Sequence, residues 1–163
     1  MVDGTRPDEP DRGSPTLLVS ACLLGRPCNH RGTASPRPAV AALGERYRIV
    51  PVCPEVEGGL PVPRPAAEIA PDGTVRTVDG HDVTAEYRAG AEVAVDLATR
   101  NDVVGAVLKA RSPSCGSAGV YDGSFTRTLV VGEGLTAAAL RAEGYEVVSE
   151  EDVAEGRLPG GDR

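Results

Sequence analysis

Four short apolar runs, set far apart along the chain, restrict what it can fold into. Residues 16–21 and 103–108 are continuously apolar rather than alternating, which marks strands buried on both faces. Arg48–Val52 and residues 145–148 read as two further strands. Helical segments separate them. Residues 38–44 have Pro38 at the start and Gly44 at the end, the usual asymmetry of a short helix. Thr84–Arg100 places Tyr87, Ala91, Ala94, Val95 and Ala98 at helical spacing, with Glu86, Arg88, Glu92 and Asp96 elsewhere around the wheel. Residues 134–143 form another helix, stopped by Gly144, and Ser149 with Asp152 can cap a last turn. Strands alternating with helices imply βαβ units. The expected fold is therefore a single α/β domain over 16–155: a mainly parallel, Rossmann-like sheet in three layers, helices on both faces and right-handed crossovers. Residues 74–78 and 81–83 flank Asp79 and Gly80, a hairpin signal. Residues 53–67 are rich in proline and read as a stiffened loop. Residues 1–15 and 156–163 carry few apolar side chains and are expected to be mobile tails.

Charge removes several function classes. Lys and Arg number 17 against 24 Asp and Glu, a net charge of −7, so the chain as a whole repels phosphate backbones and is not expected to bind DNA or RNA. Aromatic residues are 3%, too few for a base-stacking platform. No run reaches the length of a membrane span and the N-terminus has no apolar signal core, so a cytoplasmic protein with no membrane partner is expected. Thiols stay reduced in the cytoplasm, and four cysteines there read as metal-binding or catalytic before they read as disulfides.

Three of those cysteines follow strands. Cys22 comes after 16–21, Cys53 after Arg48–Val52, and Cys115 sits in a tight loop after 103–108. Open α/β sheets bind ligands past the carboxyl ends of their strands, so three thiols delivered there form a site. Three thiolates leave a metal group one open position, whereas four close it. Glu55, two residues after Cys53, suits proton transfer beside such a group. Around Cys115, Ser112, Ser114 and several amides can donate hydrogen bonds, while Lys109 and Arg111 are expected to ease thiolate formation. Cys28 lies six residues after Cys22, a spacing that fits no metal knuckle, and reads as structural. His30 is either a loop hydrogen-bonder or a substrate contact, His81 is expected in solvent, and Glu57 and Glu68 are expected to cap or to pair with Arg64. Residue chemistry alone leaves three possibilities open: an iron–sulfur enzyme, a mononuclear zinc or iron hydrolase on the same thiols, and a non-catalytic iron–sulfur sensing module.

SACLLG at 20–25, PVCPEVEGGLPVPRPAAEI at 51–69, and KARSPSCG at 109–116 followed by VYDGSF at 120–125 resemble the thiouracil desulfidase family, long catalogued as a bacterial and archaeal domain of unknown function. The resemblance runs from about Leu17 to Glu150. It implies an oxygen-sensitive 4Fe–4S cluster held by Cys22, Cys53 and Cys115, with one open iron for the sulfur of a thiolated pyrimidine. It implies catalytic roles for Glu55 and Ser112. The activity it implies is non-redox desulfuration of 2- or 4-thiouracil, or of its nucleotide, to the oxo form and hydrogen sulfide. His30, Arg64, Lys109 and Ser114 are then the candidate substrate contacts, with Arg64 and Lys109 as partners for a phosphate. The chain departs from the family at 29–32, where Asn-His-Arg-Gly replaces the common Arg-Tyr-Asp-Gly. No extra C-terminal domain like that of longer relatives that act on thiolated transfer RNA is expected, which favours a small-molecule substrate.

Overall fold

Leu17, Leu18 and Val19 have no solvent exposure, and the pleat explains how one strand buries three successive side chains. Leu18 joins a cluster on one face of the sheet, Leu17 and Val19 a cluster on the other. Their strand is β1 (Thr16–Ser20), flanked by β2 (Arg48–Val52) and β5 (Gly105–Leu108), with β8 (Val147–Ser149) beyond β5. All three pairings are parallel, and Leu18 stands opposite Val50 on one side and Ala106 on the other. This computed structural model describes residues 13–160. Most of the expected N-terminal tail, 1–12, and the end, 161–163, lie outside the described residues.

Helices cover both faces, giving the three-layer α/β architecture that the apolar runs imply. On one face, Ala94 and Ala98 of α3 (Thr84–Arg100) and Ala137 and Leu140 of α4 (Leu135–Ala142) close over Leu18, Ala106, Leu108 and Val147. Alanine at these contacts lets both helices approach the sheet closely. On the other face, Val40 of α1 (Pro38–Ala41), Leu43 in the 3-10 turn that follows, and Val153 of α5 (Glu150–Ala154) cover Leu17, Val19, Val107 and Val148. The β1-to-β2 crossover steps one way along the sheet through α1. The β2-to-β5 and β5-to-β8 crossovers step the other way through α3 and α4 on the opposite face. Opposite steps on opposite faces keep one crossover hand. The strand order therefore reverses at β1, and a crevice opens past the carboxyl ends of β1 and β5.

Two small hairpins stand outside the sheet. β3 (Ala67–Ile69) pairs antiparallel with β4 (Val75–Thr77), and β6 (Gly119–Tyr121) with β7 (Leu129–Val131). The hairpin expected across Asp79 and Gly80 is corrected here. The chain does reverse there, but the return shrinks to one bridge, Arg76 to Asp82, and β4 takes β3 as its partner. Asp82 is diverted: its Oδ1 accepts from the Thr84 amide at 2.9 Å and hydroxyl at 2.6 Å, which starts α3 instead of extending a strand. The proline-rich 53–67 segment contains one helical turn, α2 (Pro54–Glu57), with Pro54 at its first position. At the other end, the expected capping box forms between Ser149 and Asp152. Packing continues past residue 155: Pro159 is fully buried against Gly105, and the Gly160 amide donates to Glu146 at 2.9 Å. Residues 158–160 thus belong to the packed chain and not to the expected tail.

Candidate functional site

Three loops at the crevice carry the cysteines, and each is held by a different local device. Cys22 sits in a 3-10 turn, Ala21–Leu24, ended by Gly25 at φ +102°, where a side chain would be strained. Cys53 is the N-cap of α2, one residue past β2. That short helix lies directly on α3 because two glycines face backbone: a Cβ on Gly90 would come within 1.9 Å of the Pro54 carbonyl oxygen, and one on Gly58 within 1.9 Å of that of Glu86. Cys115 is held from both sides. Ser112 Oγ accepts from the Ser114 and Cys115 amides at 3.1 Å each. The carbonyls of Pro113 and Ser114 take the otherwise unpaired amides of Leu135, Thr136 and Ala137 at the start of α4, at 2.9, 2.8 and 3.2 Å.

These loops enclose a cavity of about 570 Å³, an ordinary size for a small-molecule site. Cys22, Cys53 and Cys115 all line it, and so does Cys28. All four are free thiols. Cys28 is 5% exposed with its thiol beside Cys53, so the residue read as structural is also a cavity residue. Ser20 Oγ donates to Cys115 Sγ at 3.4 Å, a bond of the kind that tunes metal-bound sulfur. Soft sulfur donors around a polar cavity suit an iron–sulfur cluster. Among the described residues, no group of three ligating side chains is placed to hold a single metal ion.

Burial dominates the chemistry of three of the thiols. It pushes Cys22 up to about 11 and Cys28 up to about 12, and raises Cys115 as well; the neighbouring thiols add to each, and the Glu55 carboxylate adds to Cys22 and Cys115. The expectation that Lys109 and Arg111 would ease ionisation is corrected: Lys109 is paired with Glu150 at 3.2 Å, Arg111 with Glu151, and only Lys109 offers Cys22 a minor opposing pull. Ligation must therefore expel protons at neutral pH, and mass action favours it as pH rises. Retention of a reconstituted cluster against a fixed chelator should increase from pH 6.5 to 8.5; iron content per chain across that series checks this, and a flat or falling series would contradict it.

Glu55 and Ser112 both line the cavity. Burial pushes the Glu55 carboxyl above its ordinary range, while the Arg64 guanidinium and the Ser114 hydroxyl pull it back. Ser112 Oγ already accepts two amide bonds, so its own proton is free to be donated. His30 and Lys109 line the cavity too, with His30 at the rim. Desolvation and the nearby Arg31 and Arg64 lower the His30 imidazole, which is neutral at pH 7.

Arg64 and Ser114, both expected as substrate contacts, are not among the residues that line it. Arg64 is buried and bonded to Glu55 at 2.5 Å. Ser114 is fully buried, with its hydroxyl on Thr136 at 2.8 Å. Neither Glu57 nor Glu68 pairs with Arg64 as expected: Glu57 is exposed, and Glu68 accepts from the Gly123 and Phe125 amides at 3.0 and 3.1 Å. That clasp fixes the tip of the β6–β7 hairpin to β3 and sets one cavity wall. Tyr87, Arg31, Tyr121 and Arg127 are cavity residues that sequence reasoning missed. Arg127 offered no sequence signal, but its φ of +61° is uncommon for a side chain other than glycine.

A family model described as 2-thiouracil desulfurase matches residues 17–152. The uncharacterized protein YbbK of Bacillus subtilis (strain 168) is 36% identical over 146 residues, which is 84% of this chain and 97% of that one. A solved structure described as the 4Fe–4S-dependent thiouracil desulfidase TudS shares 44% identity at a TM-score of 0.81, covering 87% of this chain and 95% of that one. Among the described residues, no helix is long and apolar enough to cross a membrane.

Proposed function

The chain belongs to the 2-thiouracil desulfurase family, and from that premise we propose that it hydrolyses the thiocarbonyl of a thiolated pyrimidine, 2- or 4-thiouracil or its nucleotide, to the oxo form and hydrogen sulfide. The observation that carries this reading is convergence: Glu55 and Ser112 share one cavity with Cys22, Cys53 and Cys115. Cys22, Cys53 and Cys115 would hold a 4Fe–4S cluster, which would supply a Lewis acid for the substrate sulfur. The protein does the rest. Glu55, buried and with raised proton affinity, takes a proton from the attacking water and returns it to the departing sulfur. Ser112 donates to the pyrimidine as charge develops on it. One water enters for each sulfide released, and no net electron transfer is required. Arg31 and Arg127 line the cavity without a carboxylate partner among the described residues, which gives an anionic substituent such as a nucleotide phosphate a place to bind. Four free thiols suit a reducing compartment such as the cytoplasm, and a cluster held on them would make the activity oxygen-sensitive.

Glu55→Gln and Ser112→Ala test the assignment in anaerobically reconstituted protein. Both should keep the visible absorbance of the cluster and about four acid-labile sulfides per chain. Turnover on thiouracils should fall about 100-fold or more in each. Parental turnover in either variant would remove that residue from the mechanism. Sulfide-free protein that still turns over would favour a mononuclear metal, and a loaded parent without turnover would favour a sensing module.

A further inference from the structure

We infer that Arg64 is the positioning residue for Glu55, locking its carboxylate at the cavity wall by joining the loop after β1 to the loop after β2. This rests on the proposed role of Glu55 in proton transfer. The Arg64 side chain is only 3% exposed and its guanidinium is consumed inside the protein. Nη2 donates to Glu55 Oε2 at 2.5 Å and to the Cys28 carbonyl at 3.1 Å, and Nη1 donates to the Pro61 carbonyl at 3.2 Å. Its amide donates to the His30 carbonyl at 2.8 Å. The acceptors thus come from α2, from the Cys28–His30 turn and from the proline-rich segment.

Two simpler roles fit the geometry less well. Substrate binding is disfavoured because Arg64 does not line the cavity and its Nη2 is already committed to Glu55 and the Cys28 carbonyl. Stability alone is a poor reason to keep the pair, since well-packed apolar residues replace buried ion pairs at little or no cost. What an apolar pair cannot do is hold one carboxylate oxygen in place while the other serves the cavity. The fork geometry matters as well: a lysine reaches Glu55 as a point charge but cannot span three acceptors from three segments.

The test compares the parent with Arg64→Gln, Arg64→Lys, Glu55→Gln and the double variant Glu55→Gln/Arg64→Gln. Readouts are iron per chain, visible absorbance, the thermal transition, uracil affinity of the cluster-free protein by calorimetry, and kcat and KM on thiouracil. Arg64→Gln should keep its iron and hold uracil affinity and KM within about threefold, while kcat falls about 30-fold or more. Arg64→Lys should recover part of the loss. The double variant should be little worse than Glu55→Gln alone, because the arginine acts through the carboxylate. Near-parental kcat in Arg64→Gln beside a crippled Glu55→Gln overturns the inference and leaves the role of Glu55 standing. Losses that multiply in the double variant overturn it, as does folded Arg64→Gln protein that takes up no iron. If Glu55→Gln itself turns over at the parental rate, the proton-transfer role fails first. Should Arg64→Gln not fold, Arg64→Lys decides: parental kcat with full iron overturns the inference, and an intermediate kcat supports it.

Discussion

Cys115→Ala should give a folded, colourless protein that retains no iron under anaerobic reconstitution and has lost more than about 1,000-fold in desulfuration. Cys22→Ala and Cys53→Ala should behave alike. Cys115 belongs to one apolar cluster and Cys22 packs against the other, but trading one small cysteine for alanine costs only about 1 kcal/mol, too little to undo the fold. In the proposed three-ligand assignment the metal group would depend on them entirely, because each would supply a ligand from a different loop and no two loops are neighbours in sequence. Cys28→Ala is the informative contrast. Its thiol is in the cavity beside Cys53, yet the three-ligand assignment gives it no iron, so the variant should keep the parental iron content. Iron and acid-labile sulfide analysis beside a thermal melt checks all four. Full iron in Cys115→Ala, or none in Cys28→Ala, would reassign the ligand set.

Gly90→Ala should destabilise the protein and impair cluster retention, against the direction of helix propensity. Glycine in a helix interior is about 1 kcal/mol worse than alanine, so an isolated helix would gain from the change. Here the new Cβ would lie 1.9 Å from the Pro54 carbonyl oxygen and 2.6 Å from its carbon, and backbone cannot swing aside as a flexible side chain does. Helix α2 must lift off α3, carrying Cys53 at its N-cap and Glu55 in its first turn. A net loss of about 1–3 kcal/mol is expected from such overpacking, with lower iron occupancy even in the folded fraction. Gly44→Ala is the control, since a Cβ there meets nothing within 4 Å. Denaturant melts and iron content decide: a Gly90→Ala protein more stable than the parent with full iron would mean that this contact does not seat α2.

The parallel sheet was legible because its strands are continuous apolar runs, and the site was legible because three cysteines end or follow such runs. The two outer hairpins were much less so. All three residues of β7 are exposed, so no burial alternation marks it, and the partner of β4 depends on Asp82 being drawn into the start of α3. Arg64 shows the limit most clearly. Glu55, Glu57 and Glu68 all lie within nine residues of it, and composition cannot rank them. The choice is made by the single turn of α2, which directs Glu55 inward and leaves Glu57 in solvent. Ser112 and Ser114 sit two apart in one loop, yet one lines the cavity and the other is buried on Thr136, a division set by the start of α4. Arg31 and Arg127 meet on the cavity only through the tertiary fold, across a gap that no local pattern bridges. Burial of Pro159 likewise depends on the missing side chain of Gly105, far away in sequence.

The most direct measurement is turnover by anaerobically reconstituted protein on 2-thiouracil, 4-thiouracil and their nucleoside 5′-monophosphates, following thiocarbonyl absorbance and released sulfide together. Expected is one sulfide per oxo-pyrimidine formed on at least one of these compounds, only in protein carrying about four irons and four acid-labile sulfides, and none after the cluster is chelated away. Fully loaded protein that leaves every one of them intact, or cluster-free protein that converts them at the same rate, would contradict a cluster-dependent desulfidase.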